Sequence, residues 1–366
     1  MNVTARTDRR EFGTLADGRE VFEYTLDNGA GLSLSAINLG GIVTALRVPD
    51  RHGRAESIVL GLASLADYEA RNPHFGTIVG RHANRIAHGR FSIDGEPFQL
   101  ALDAGSPHAL HGGPGGFGRC WWDIEPVPPA GDGSVALALS LVSAHGDQGY
   151  PGRAEIRVRY TLTADNEYRI DYEARSDRAT IVNLTHHDYF NLAGQGSILG
   201  HRLTIAASRY CPVDEGLIPE GIAGVAGTPF DFRSATTIGE RIRDGHPQLL
   251  RARGYDHNWV LDPADRPGLR FAARLADPVS GRVMDIETTE PGLQFYSGNF
   301  LDGSLPGANG QAIRQGDGLC LETQHFPDAP NQPGFPSTLL RAGEIHSSTT
   351  VHRFGLCAPH PTERTP

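Results

Sequence analysis

Period-two alternation of apolar and polar residues restricts this chain more than any other feature. In AEIRVRYTLTADNEYRIDYEAR, residues 154 to 175, Ile156, Val158 and Tyr160 fall on one face while Arg157 and Arg159 fall on the other, which is the pattern of a half-buried strand. Ala164, Asp165 and Asn166 interrupt the alternation, so the segment predicts a hairpin. The same pattern runs through FEYTL (22–26) and LSLSAINLGGIVTALRV (32–48), separated by an Asp27-Asn28-Gly29 step of the kind that closes hairpins. It returns in SVALALSLVSA (134–144) and in EIHSSTTVHRFGL (344–356), which can complete a sheet. Helical pattern is scarce: SLADYEAR (64–71) behind a Ser64 cap, and a short stretch near 237–243.

The chain carries 45 glycines and 25 prolines without a collagen-like period, so it is rich in turns. No clear repeat or low-complexity linker divides its 366 residues. These features predict one all-β domain over 1–366: a large antiparallel β-sandwich or set of packed sheets, with few short helices. Polar residues at strand ends and loops would meet in a groove.

A net charge of −10 argues against nucleic acid or an acidic membrane surface as partner. All 33 basic residues are arginine. Schiff-base catalysis, a lysine-anchored pyridoxal cofactor and a phosphate-loop lysine are thereby excluded. Cys120, Cys211, Cys320 and Cys357 form no CxxC pair and read as core thiols in a reducing compartment. Arg9 and Arg10 precede no apolar leader, and no apolar run reaches membrane-spanning length. The expectation is a soluble, cytoplasmic protein.

Several side chains bear chemistry. In GDGLCLETQHFPDAPNQP (316–333), a strand would put Cys320, Glu322 and Gln324 on the face opposite Leu319, Leu321 and Thr323. Pro327, Asp328, Pro330, Asn331 and Pro333 then stiffen the loop that follows. Glu322 is thus either a carboxylate held in one geometry or a solvated residue on an edge strand. GRHANRIAHGRF (80–91) offers Asn84 and Arg85, the latter a fork for hydroxyls or a carboxylate, or a surface ion pair. In HALHGGPGGFGRCWW (108–122), His111, at the head of the glycine run, can transfer protons, and the glycines permit either a turn or a close backbone approach. In IVNLTHHDYFNLAG (181–194), read as a strand, His187, Tyr189 and Asn191 share one face and His186 and Asp188 the other. His186 and His187 would then not ligate one metal together, and no HxH or HExxH spacing occurs. GYDHNWVL (254–261) places Asp256 at a strand start, and EPGLQFYSGNFLDG (290–303) puts Gln294 and Tyr296 on one face.

Taken together and in this order, GRHANRIAHGRF, LHGG, NLTHHDYFNLAG, GYDHNW, EPGLQFYSGNFLDG and CLETQHFPDAPNQP resemble the aldose 1-epimerase (galactose mutarotase) family across most of the chain. The resemblance implies a galactose mutarotase-like supersandwich that interconverts the α and β anomers of a free monosaccharide such as galactose or glucose. It implies no cofactor and no metal, and a monomer or homodimer. Carried over by position, Glu322 is the general base and His187 the general acid, while Asn84, Arg85, His111, Asp256 and Gln294 bind the sugar. The familiar histidine motif has Asn at His186 and a small residue at Asp188, so these two positions depart from it.

Anomer exchange needs one base and one acid, expected on opposite sides of C1, with Glu322 ionised and His187 protonated. Tyr296, Phe300 and Trp259 are core residues or a platform for the sugar's apolar face. A glycoside hydrolase pairing Glu322 with Asp256, a non-catalytic sugar-binding module and a metal-dependent enzyme are the alternatives. A hexose-6-phosphate epimerase would require further cationic groups.

Overall fold

The computed structural model describes residues 5–128, 131–264 and 266–357. The predicted hairpin forms as Ala154–Leu162 against Glu167–Ser176, and it lies within a nine-stranded antiparallel sheet. Ile345–Leu356 does more than complete that sheet: it is a central strand between Glu167–Ser176 and Arg282–Thr288. A five-stranded N-terminal sheet runs Arg6–Thr14, Glu20–Asp27, Ser33–Ile37, Val43–Pro49, Ala55–Ser57. The Asn28-Gly29 step opens the loop between its second and third strands, which pair from Asp27 and Ser33.

A further five-stranded sheet has the order Ala223–Gly224, Arg209–Cys211, Asp256–Val260, Gly292–Tyr296, Cys320–Gln324. One apolar cluster draws on all three sheets, from Leu34 and Leu46 through Val158 and Tyr172 to Trp259, Phe295 and Leu321. At roughly 25 cal/mol per Å² of apolar surface removed from water, that shared core is the main force holding the sheets together.

The helices are few and short. Leu65–Arg71 starts where expected, with the Ser64 hydroxyl accepting the Asp67 N–H. Ile238–Arg241 matches the second expectation. Pro247–Ala252 is a helix that the alternation did not announce; Pro247 opens its first turn and Arg253 ends it in the left-handed region.

Two local readings change. Residues 181–194 are not a continuous strand: Thr185–His186 pairs with Ile78–Val79, Ile181 pairs with Leu339, and Asn183 and Phe190 make isolated bridges. Cys320–Gln324 is an edge strand of its sheet, yet all five of its residues are buried. Its polar face is therefore not the solvent face that alternation implies. Among the described residues, no helix is long and apolar enough to cross a membrane.

Candidate active site

Three neighbouring strands set the polar face. The register aligns Asn258 with Gln294 and Gln294 with Glu322, while Asp256, Tyr296 and Cys320 form the adjacent row. Because strand side chains alternate, these six residues project from one face. Trp259 and Phe295 project from the other, into an aromatic core. Trp259 is thus core rather than platform.

Backbone loops bring the remaining groups to this face. Asn84 and His111 each adopt φ near the left-handed region, 60° and 49°, as does His74 at 69°. Such conformations in residues other than glycine concentrate at functional sites. In the LHGG turn, a Cβ on Gly112 would lie 1.9 Å from the Gly80 carbonyl oxygen. The glycine is there for close approach, and that approach fixes where His111 sits.

The seven residues read from the sequence form a closed circuit. The Asn84 N–H donates to Nδ1 of His111 at 3.2 Å, and the His111 and His187 rings lie 5.1 Å apart, edge to face. His187 Nε2 approaches Glu322 Oε1 to 3.8 Å. Glu322 pairs across the sheet with Gln294, whose amide donates to Asp256 at 2.7 Å. Asp256 then faces Arg85 at 3.9 Å, and Arg85 adjoins Asn84. Oε2 of Glu322 and Oε1 of Gln294 are buried and take no hydrogen bond from the described residues.

Burial governs the electrostatics. Desolvation pushes Glu322 well above the usual carboxylate range, and Asp256 adds to the push while Arg85 opposes it. Desolvation likewise drives His187 well below the usual imidazole range, with His74 and His186 lowering it further. His111 is depressed in the same way, first by burial and then by His74 and His187. Asp256 is raised by burial, against the pull of Arg85 and Gln294. The charged pair expected from the sequence is therefore opposed by its surroundings: burial raises Glu322 toward its neutral acid and lowers His187 toward its neutral imidazole.

The pair is also not arranged across a ring. At 3.8 Å, Glu322 and His187 stand side by side, so no sugar fits between them. They can meet only two atoms that are themselves neighbours.

His74 was missing from the sequence reading. Its ring lies 4.6 Å from His111 and 5.6 Å from His187, and burial lowers its pKa to about 4. Nothing in NPHF beyond the histidine itself signalled it. Phe300 differs too: it is 48 % exposed at the rim, stacked on Tyr296.

One nitrogen of His111, one of His187 and a Glu322 oxygen lie within 4.8 Å of one another, close enough to hold a metal ion. The hydrogen bonds oppose that use. Nδ1 of His111 already accepts the Asn84 N–H, so its ring proton sits on Nε2 and neither nitrogen offers a free lone pair. A metal-bound histidine instead donates its second N–H outward.

A buried carboxylate and a histidine cluster, ringed by amides and a single guanidinium, define a general acid–base enzyme. The family model described as Aldose 1-epimerase matches residues 23–353. A rat (Rattus norvegicus) protein, "Galactose mutarotase", is 44% identical over 351 residues, covering 95% of this chain and 98% of its own. The "Aldose 1-epimerase" of Escherichia coli (strain K12) is 40% identical over 342 residues, covering 92% and 96%. The solved galactose 1-epimerase of Lactobacillus acidophilus NCFM superposes with a TM-score of 0.85 at 30% identity, over 97% of this chain and 100% of that one. The chain belongs to the aldose 1-epimerase family, and its all-β architecture is the galactose mutarotase-like fold.

Proposed function

We propose that this protein interconverts the α and β anomers of a free aldose, galactose or glucose being the first candidates, by proton transfer between the sugar and the Glu322–His187 pair. The observation that carries this reading is the 3.8 Å approach of His187 Nε2 to Glu322 Oε1. O1 and O5 of a hemiacetal are bonded to the same carbon. Two groups standing side by side reach these two oxygens from one edge of the ring.

With the closed sugar bound, Glu322 is ionised and His187 carries the proton. Glu322 takes the O1 proton as His187 gives its own to O5; the C1–O5 bond breaks and C1=O1 forms. The pair is then a carboxylic acid beside a neutral imidazole, the state that burial favours. Rotation about C1–C2 presents the other carbonyl face, and the same steps reversed close the ring and return both protons. Each positioned donor or acceptor supplies about 10² to 10⁴ in rate.

Asn84, Arg85, His111, Asp256 and Gln294 are assigned to the sugar's hydroxyls. His111, neutral and protonated on Nε2, is a donor there. Arg85 is the one cation in the circuit and already faces Asp256, which suits a neutral sugar over a phosphorylated one. The test is polarimetry of fresh α-galactose and α-glucose, run beside release of nitrophenol from nitrophenyl galactoside. The expected result is accelerated mutarotation and no nitrophenol. Nitrophenol release without mutarotation would replace this reading with hydrolysis.

A further inference from the structure

The two residues flanking His187 are tied to each other and to the nine-stranded sheet behind the site. His186 Nδ1 and Asp188 Oδ2 lie 2.9 Å apart, and both side chains are at least nine-tenths buried. On its other side, His186 Nε2 lies 2.9 Å from the Tyr160 hydroxyl. That hydroxyl donates its only proton to the Gly41 carbonyl at 2.8 Å, so Nε2 must be the donor toward Tyr160. Nδ1 then faces Asp188 Oδ2 at 2.9 Å. The contact lies off the axis of an aligned hydrogen bond, yet at 2.9 Å between buried atoms it ties the two side chains together.

We propose that His186 and Asp188, anchored on Tyr160, act as one unit of positioning residues that hold His187 at its distance from Glu322. This rests on the reading of His187 as the proton donor. The backbone of residue 187 is fully paired, its N–H to Thr77 and its carbonyl to the Gly76 N–H, at 3.0 and 2.9 Å, and its ring packs against His74, His111 and Tyr189. Its ring contact with Cys320, 3.4 Å from Nδ1 to Sγ, is a weak one. Strand pairing at Thr185–His186 ends one residue earlier. A side-chain bridge from 186 to 188 links the residues on either side of His187 and adds a restraint that backbone pairing alone does not supply. Neither residue belongs to the circuit around Glu322, so neither takes part in the chemistry. A displacement of about 1 Å in a reacting group can cost on the order of 100-fold in rate.

The experiment is steady-state polarimetry on Asp188→Ala, His186→Ala, their double variant and Asp188→Asn, with thermal unfolding measured beside it. The parent rate is taken first: without mutarotation in the parent, the functional reading itself fails. Given parent activity, each alanine variant should lose about 10- to 100-fold in kcat with KM within about twofold. The double variant should lose no more than the worse single, because one unit is broken once. Asp188→Asn, whose amide can still meet Nδ1, should stay within about threefold of the parent. A folded Asp188→Ala with parent kcat overturns the proposal. So does a double variant whose loss is the product of the singles, or an Asp188→Asn as slow as Asp188→Ala. Should the alanine variants not fold at the assay temperature, Tyr160→Phe decides: a severalfold loss in kcat supports the unit, and parent kcat overturns it.

Discussion

Glu167–Ser176 and Cys320–Gln324 are both antiparallel strands with period-two sequences, yet they solve different problems. In the first, Tyr168, Ile170, Tyr172 and Ala174 are buried while every intervening residue is partly or fully exposed. Its charges meet in surface pairs such as Arg169 with Asp171 at 2.7 Å. In the second, both faces are buried, and the polar face holds Glu322 at 2 % exposure and Gln324 at 0 %. Burying ionisable and amide groups without full hydrogen bonding costs free energy. A fold keeps such an arrangement where the groups have work to do, and the neighbouring strands Asp256–Val260 and Gly292–Tyr296 share it.

That contrast can be broken first at Glu322. Burial raises its pKa, so the stability it confers is complete below the ordinary Glu value of about 4.3 and is lost as pH rises through the raised value. Glu322→Gln removes the buried carboxylate. It should therefore unfold later than the parent at pH 8, by roughly 1 kcal/mol, with the advantage shrinking toward pH 4. Calorimetry showing equal stability at pH 8, or an advantage that grows with acid, would remove the distinction between the two strands.

The smaller effect lies on the nine-stranded sheet. Arg274 grips Asp285 with two contacts, 2.5 and 2.6 Å, but the Arg274 side chain is 56 % exposed. A double-mutant cycle on Arg274→Ala and Asp285→Ala should give a coupling of about 0.5 kcal/mol. A coupling above roughly 2 kcal/mol would mean that this surface, too, holds tightly determined charge.

What was legible in the sequence follows the same division. Strand pairing at 154–176 and the Ser64 cap depend on residues close in sequence, so alternation and capping chemistry announce them. Glu322, Gln294 and Asp256 were assigned through their motifs, but alternation alone made Glu322 as easily a solvated edge residue. Burial on both faces is decided by what packs from elsewhere in the chain. The histidine cluster was harder. His74, Asn84 and His111 sit on loops with positive φ, where no period tells which way a side chain points. The separation of His187 from Glu322 was misjudged for the same reason: a spacing of 135 positions says nothing about whether two groups face each other or stand abreast.

The most direct test of the proton-sharing pair is the rate at which Glu322→Gln restores the optical rotation of fresh α-galactose, compared with the parent under identical conditions. The amide occupies the same space and cannot take a proton, so at least about 10²-fold should be lost from kcat with the fold intact. A folded variant within threefold of the parent would show that the carboxylate is not the group that takes the O1 proton.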